Sequence, residues 1–278
     1  DIINTVSKQY AEEILTSTYG ERMEGVLLKR QKDLFGIVNG ISYEEFNPEQ
    51  DKCLYVKYDK NSFTFKSENK KALQKELGLK ERVSPLMGVV TRLTGQKGLE
   101  LIIGCIEEFI EKEDVQLAVL GLGDDYYQNI FGCLQRKYPD NVKAVFEFNT
   151  DLAKRIYSAC DMFLMPSRFE PCGLGQMISL RYGAIPVVRA TGGLAETITD
   201  YDTDRKAGNG FSFEEFSVSA FKETLQRAVN LYKNKPDAWN ELVNRAFESD
   251  FSWKKPSRAY LELYELAVDR LKKGVPHE

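Results

Sequence analysis

Arg92 and Lys97 flank Thr94 and Gly95 in "TRLTGQKG", a tight turn that leads into a helical pattern. The helix dipole disfavours a cation at a helix start, so two of them there suggest an anion held between them; a solvated surface pair is the plainer alternative. Glu170 stands in "SRFEPCGLGQM", where Pro171 holds it extended and Gly173 and Leu174 open a helix. No Ser, Thr, Asp or Asn stands at that start to cap it, which leaves its N–H groups for a phosphate. "ATGGLAETI" sets Gly192 and Gly193 before another helix and offers a second pair of backbone donors. "GLGDD", Gly121 to Asp125, is a weaker signal, since glycine after a strand is commonly only a turn. Phe148 in "FEFNTD" ends a strand, where an aromatic ring either packs in the core or stacks on a base.

Several chemistries are excluded by what the sequence lacks. It has one histidine, His277, next to its last residue, so a Ser-His-Asp or Cys-His mechanism has no imidazole fixed in a core. Cys53, Cys105, Cys133, Cys160 and Cys172 are scattered without a C-x-x-C pair and read as reduced thiols, not as disulfides or a zinc site. A net charge of -4 and a pI near 5.4 give no basic footprint for nucleic acid or an anionic membrane. No apolar run reaches the roughly 20 residues of a membrane helix, and "DIINTVSKQY" lacks the order of a signal peptide. The chain reads as intracellular, and its 278 residues make one or two domains.

The elements that must position these residues run from about Pro85 to Asn234. Strands are expected at "PLMGVV", "VQLAVLG", "VKAVFEF", "DMFLMP", "IPVVRA" and "GNGFSF", with helices between them. One of these helices is a single stretch, "GLELIIGCIEEFIEKE", with apolar residues at helical spacing. Strands apolar throughout, separated by helices, indicate a doubly wound α/β domain with a parallel, Rossmann-like sheet covered on both faces. Ahead of it lie a strand-helix unit, "IINTVSKQYAEEIL", a turn at "GIVNGI", and a polar stretch from Asn47 to Lys71 with few helical signals. Two helices follow it, separated by a turn at Ser252 to Pro256, and both ends look made to pack on something beyond the sheet.

In such sheets ligands bind beyond the carboxyl ends of the strands. Three of those ends offer phosphate-binding chemistry, one a carboxylate and one a stacking ring, and the joint reading is a sugar-nucleotide site.

The stretches "TRLTGQKGLELI", "SRFEPCGLGQMISLRYGAIPVVRATGGLAETI" and "FSWKKPSRAYLELYELA", with "TVSKQYAEEI" and "GIVNGI" at the front, closely resemble bacterial glycogen synthases and plant starch synthases. These are the family 5 glycosyltransferases of the GT-B class. Retaining GT-B enzymes of other families more often carry a second glutamate eight residues after the first; Ile178 stands there, which favours the synthases. The resemblance implies transfer of glucose from ADP-glucose to the non-reducing end of an α-1,4-glucan with retention of configuration, without a metal. It implies that Arg92 and Lys97 bind the diphosphate and stabilise the leaving group, and that Glu170 binds the donor glucose. Gly121, Gly123 and Asp124, then Cys172, Gly173, Leu174 and Gly175, then Thr191, Gly192 and Gly193 would line the nucleotide-sugar pocket, with Phe148 near the adenine.

The family also carries an N-terminal domain with a Lys-x-Gly-Gly-Leu loop and an active-site histidine, and neither is present. The expected organisation is therefore residues 1–38 as the last strand-helix unit of that first domain and 39–250 as the C-terminal nucleotide-sugar domain. Residues 251–278 are expected to form a helix that crosses back to the missing domain. Such a chain is expected to bind ADP weakly and to elongate no glucan alone; its setting would be the bacterial cytoplasm, or a plastid in a plant. A non-catalytic nucleotide- or glucan-binding module on the same fold is the alternative, which loss of Arg92, Lys97 or Glu170 would have favoured. A dinucleotide-binding dehydrogenase is disfavoured, because "TRLTGQKG" replaces G-x-G-x-x-G after the first strand.

Overall fold

The computed structural model describes residues 2–202, 204–205 and 207–273, so His277 lies outside the described residues. The chain opens with β1 (Ile3–Thr5), helices α1 (Lys8–Glu13) and α2 (Glu24–Lys29), and β2 (Leu34–Gly36), which pairs parallel with β1. The strand-helix unit expected at the front is present. Helix α3 (Lys66–Leu77) follows, then β3 (Leu86–Val90), α4 (Leu99–Ile103), α5 (Ile106–Glu113), β4 (Gln116–Leu120), α6 (Asp125–Lys137) and β5 (Val142–Val145). The second half runs α7 (Thr150–Ala159), β6 (Met162–Met165), α8 (Gly175–Arg181), β7 (Ile185–Arg189), α9 (Gly192–Thr197), β8 (Phe211–Phe213) and α10 (Val218–Asn234). Helices α11 (Pro236–Glu248) and α12 (Lys254–Lys272) close it.

Strands β3 to β8 form one parallel sheet in the order β5-β4-β3-β6-β7-β8. Alternate residues feed two cores. Met87, Leu117 and Met162 face the side covered by α4, α5, α6, α10 and α11, whereas Leu86, Ala118 and Phe163 face α3, α7 and α8. Burial on both faces is why the inner strands β4, β3, β6 and β7 read as nearly unbroken apolar runs, whereas the edge strands β5 and β8 alternate. Side-chain caps fix several helix starts: Asn149 accepts from the Leu152 N–H at α7, and Ser217 from the Ala220 N–H at α10.

Two expectations are corrected. The single helix expected over "GLELIIGCIEEFIEKE" is broken into α4 and α5 at Gly104 and Cys105. Val218, at the start of α10, crosses there so closely that a Cβ on Gly104 would lie 2.8 Å from its side chain. The polar stretch that ends at Lys71 contains the first turns of α3, whose inward face is partly polar and so hides the helical period. Asn69, Lys70 and Gln74 are buried on it, and each has a partner: Asn69 Nδ2 donates to the Val56 carbonyl at 2.7 Å, Lys70 pairs with Asp161 at 2.6 Å, and Gln74 Nε2 donates to Gln116 Oε1 at 2.7 Å, while Gln74 Oε1 has none.

Helix α12 buries only Leu263 of its described residues and leaves Leu261, Tyr264, Val268 and Leu271 exposed. It reaches back to the front of the chain, where Arg270 pairs with Asp33 and the Tyr260 hydroxyl meets Asn39 Oδ1 at 3.4 Å. Among the described residues no helix is long and apolar enough to cross a membrane.

Candidate functional site

Strand order reverses between β3 and β6, and helices leave the two strands toward opposite faces. The crevice beyond their carboxyl ends is the switch point of a doubly wound sheet. The loop after β3 carries Arg92 and Lys97; the loop after β6 carries Ser167 to Leu174. Their central contact is an ion pair, Lys97 Nζ to Glu170 Oε2 at 2.6 Å, and the Ser167 hydroxyl donates to the same oxygen at 3.0 Å. Glu170 is 6% exposed, so a carboxylate sits desolvated at the mouth of the sheet with one cation against it.

Main-chain contacts lock the two loops together. The Arg168 N–H donates to the Gln96 carbonyl at 2.8 Å, and Gln96 Nε2 donates to the Phe169 carbonyl at 3.3 Å. Gly98 takes φ +64 and lies where a Cβ would stand 1.9 Å from the Pro166 carbonyl oxygen, so only glycine lets the β3 loop close on the end of β6. Arg92 is exposed, and its Nη2 donates to Gln96 Oε1 at 3.3 Å. Lys97 is thus held by Glu170 and Arg92 by Gln96, on either side of a short turn at Gly95–Lys97.

Around this pair the other expected residues take different parts. Gly121 and Gly123 follow β4, and a Cβ on either would meet a backbone oxygen, Thr91 at 1.8 Å and Leu93 at 2.2 Å respectively. The Asp124 N–H donates to the Leu93 carbonyl at 2.7 Å. The G-x-G expected to face the nucleotide therefore has a packing reason of its own: it seats the β4 loop on the β3 loop. Phe148 is 87% exposed beyond β5, which removes the core alternative and leaves a ring free to stack. Cys172 is buried, which pushes its thiol up from the ordinary value. Gly173 takes φ +70, and Leu174, 47% exposed, begins α8 with no side-chain cap, while Gly175 is its first residue.

The start of α9 corrects an expectation. The donors expected to face a ligand at Gly192 and Gly193 are committed to protein: the Gly192 N–H donates to Glu13 Oε1 at 2.9 Å and the Gly193 N–H to the Glu170 carbonyl at 3.0 Å. The Thr191 hydroxyl also donates to Glu13 Oε1, at 3.0 Å.

Sequence reasoning missed Gln96, Ser167 and Glu13. Ser167, three residues before the glutamate, was open to a local reading; Glu13 lies 179 residues from Gly192, and no local signal joins them.

Comparison with known proteins gives the geometry a setting. A family model described as glycosyl transferases group 1 matches residues 60–245. The chain is 50% identical over 273 residues to a glycogen synthase of Fervidobacterium nodosum, covering 98% of this chain and 56% of that protein. It is 49% identical to a glycogen synthase of Desulforudis audaxviator, covering 98% and 54%. Among solved structures, the catalytic domain of starch synthase IV from Arabidopsis thaliana, bound to ADP and acarbose, matches with a TM-score of 0.91 and 38% identity over 97% of this chain and 56% of that one. The chain spans about half the length of these relatives.

Proposed function

The chain belongs to the group 1 glycosyl transferases, and we propose that it is the donor-binding part of a retaining synthase that moves glucose from ADP-glucose to the non-reducing end of an α-1,4-glucan. The observation that carries this reading is the Lys97–Glu170 pair at the switch point, flanked by Arg92 on one side and the exposed Phe148 ring beyond β5. The neighbour that contains ADP and acarbose, and the relatives named glycogen synthase, support the donor and the acceptor class.

In this mechanism the bond from glucose C1 to the diphosphate oxygen breaks, and a bond to an acceptor hydroxyl forms on the same face. The electron pair of the broken bond leaves with the diphosphate, and the hydroxyl proton passes to that departing group. Arg92 and Lys97 counter the charge that grows on the diphosphate. Glu170 accepts from the donor sugar, and Lys97, which pairs with it, is shared with the phosphates once they arrive. The backbone at Gly173 and Leu174 and the exposed start of α8 form the pocket wall together with Cys172 and Gly175. Gly121, Asp124, Thr191, Gly192 and Gly193 shape that wall with their N–H groups bonded to protein oxygens, and Gly123 shapes it by its close pass over Leu93.

Residues 1–38 would belong to a first domain, 39–250 to the nucleotide-sugar domain, and 251–278 to a helix that spans both. A pair of parallel strands of three residues each, β1 and β2, is too small to stand alone. The exposed Met23, Val26 and Leu28 of α2 and its flank, with the apolar residues of α12, are suited to such a neighbour. That first domain would supply the other wall of the cleft, in the bacterial cytoplasm or a plastid.

Calorimetry of the chain with ADP, UDP and NAD tests this reading. ADP is expected to bind weakly and in preference to NAD, and Phe148→Ala to weaken it by about 0.5–1.5 kcal/mol, or roughly two- to twelvefold, with the melting temperature unchanged. Preference for NAD, or glucan synthesis by the chain alone, would overturn it. In the full-length enzyme Arg92→Ala or Lys97→Ala is expected to lower kcat about 10²–10³-fold.

A further inference from the structure

Glu170 has two sets of tethers. Its carboxylate is held by Lys97 and Ser167, within the site, but its main chain is held from helix α1, at the other end of the sequence. The Ser7 hydroxyl donates to the Pro171 carbonyl at 2.6 Å while accepting the Tyr10 N–H at 3.1 Å, so its proton and one lone pair are both committed. Ser7 is fully buried, and no water is needed to orient it. Glu13, at the far end of α1, takes the Thr191 hydroxyl and the Gly192 N–H on one oxygen, and the next N–H, of Gly193, donates to the Glu170 carbonyl. A Cβ on Gly192 would stand 2.0 Å from that same carbonyl oxygen, so the start of α9 cannot shift without moving Glu170.

The contact is reciprocal. Glu196 of α9 accepts the Gln9 N–H at the start of α1 at 2.8 Å, while Glu13 of α1 accepts at the start of α9. Each helix has six residues, too few to persist alone, and each start is completed by a carboxylate of the other. Thr191, at the N-cap position of α9, makes no side-chain cap of its own; its hydroxyl is turned outward to Glu13. Glu13 Oε2 is buried with no hydrogen-bond partner, a cost borne for the two bonds on the other oxygen.

We propose that α1 is a brace for the catalytic loop, in which Ser7 and Glu13 are positioning residues that fix the main chain of Glu170 and Pro171 and so aim the Glu170 carboxylate. Neither touches the substrate; both act through the loop. The effect on donor binding rests on the function proposed above, whereas the effect on the loop does not. If α1 belongs to the first domain, the brace ties the geometry of Glu170 to that domain's seating.

The test uses Glu13→Ala, Glu13→Gln and Ser7→Ala in the chain, with amide hydrogen exchange, calorimetry with ADP, and thermal melts. Glu13→Ala is expected to speed exchange across 167–174 and at the start of α9, to leave β4 protected, and to weaken ADP by about fivefold. Glu13→Gln keeps an oxygen for both donors and is expected to stay within about twofold of the parent. Ser7→Ala is expected to speed exchange at 170–173 alone. A Glu13→Ala protein that melts lower yet keeps the parent's exchange at 167–174 and the parent's ADP affinity overturns the brace. If the parent binds no ADP, the proposed function fails and exchange alone decides the brace. If Glu13→Ala does not fold, unchanged exchange at 170–173 in Ser7→Ala overturns it.

Discussion

Replacing Lys97 by methionine keeps the length of the side chain and removes its charge, which isolates the value of the pair at the switch point. Glu170 then loses its partner at 2.6 Å and keeps only the Ser167 hydroxyl at 3.0 Å, with its side chain 8% exposed. Removing one partner of a buried pair costs roughly 3–5 kcal/mol, because the remaining charge has no compensation.

Lys97→Met should therefore destabilise the chain by about 3 kcal/mol. At about 2 °C per kcal/mol for a chain of this size, the melting temperature should fall by about 6 °C against the parent. Adding Glu170→Gln should recover most of that deficit, as the uncompensated charge is gone. A deficit under about 1 kcal/mol, or one that persists undiminished in the double variant, would refute the electrostatic account.

Two further outcomes follow from groups outside the pair. Gly98→Ala places a Cβ 1.9 Å from the Pro166 carbonyl oxygen at φ +64, and is expected to cost about 3 kcal/mol or more in a urea melt; a loss under about 1 kcal/mol would mean that the β3 and β6 loops separate freely. Lys66 donates to the Ser158 and Tyr182 carbonyls at 2.8 and 3.0 Å, and burial pushes its ammonium down to about 8. The unfolded chain keeps that proton to about 10.4, so the group adds stability as pH rises through this window, and the deficit of Lys66→Met should widen by up to about 1.4 kcal/mol per pH unit between about pH 8 and 10. A deficit that stays flat from pH 7 to 10 would show the lysine fully charged in the fold.

What the sequence made legible follows from how local each signal is. The inner strands of the central sheet are apolar on both faces, and that pattern survives in a window of five residues, so the sheet and the loops at its carboxyl ends were readable. Helix α3 was not, because Asn69, Lys70 and Gln74 point inward to partners that only the fold supplies, namely Val56, Asp161 and Gln116. The same limit applies to glycine. Gly192 and Gly193 look like a phosphate cradle from sequence, since nothing local reveals that Glu13 and the Glu170 carbonyl take their donors. Gly121 and Gly123 look alike for the same reason, although the close pass of Thr91 and Leu93 accounts for both.

This limit changes how the two glycine-opened helices should be weighed. Both α8 and α9 begin beyond strand ends with no side-chain cap of their own, and sequence gives them equal claims on an anion. The fold separates them: at α9 the anion is already present as Glu13, and its position is fixed by α1, whereas at α8 Leu174 is half exposed. A diphosphate near Lys97 would then meet a carboxylate on the α9 side and open backbone on the α8 side, so the two helix starts act as a pair that repels on one flank and admits on the other. In the proposed reaction that asymmetry would direct the leaving group toward Arg92 and Lys97 and leave Glu170, braced from behind, for the sugar.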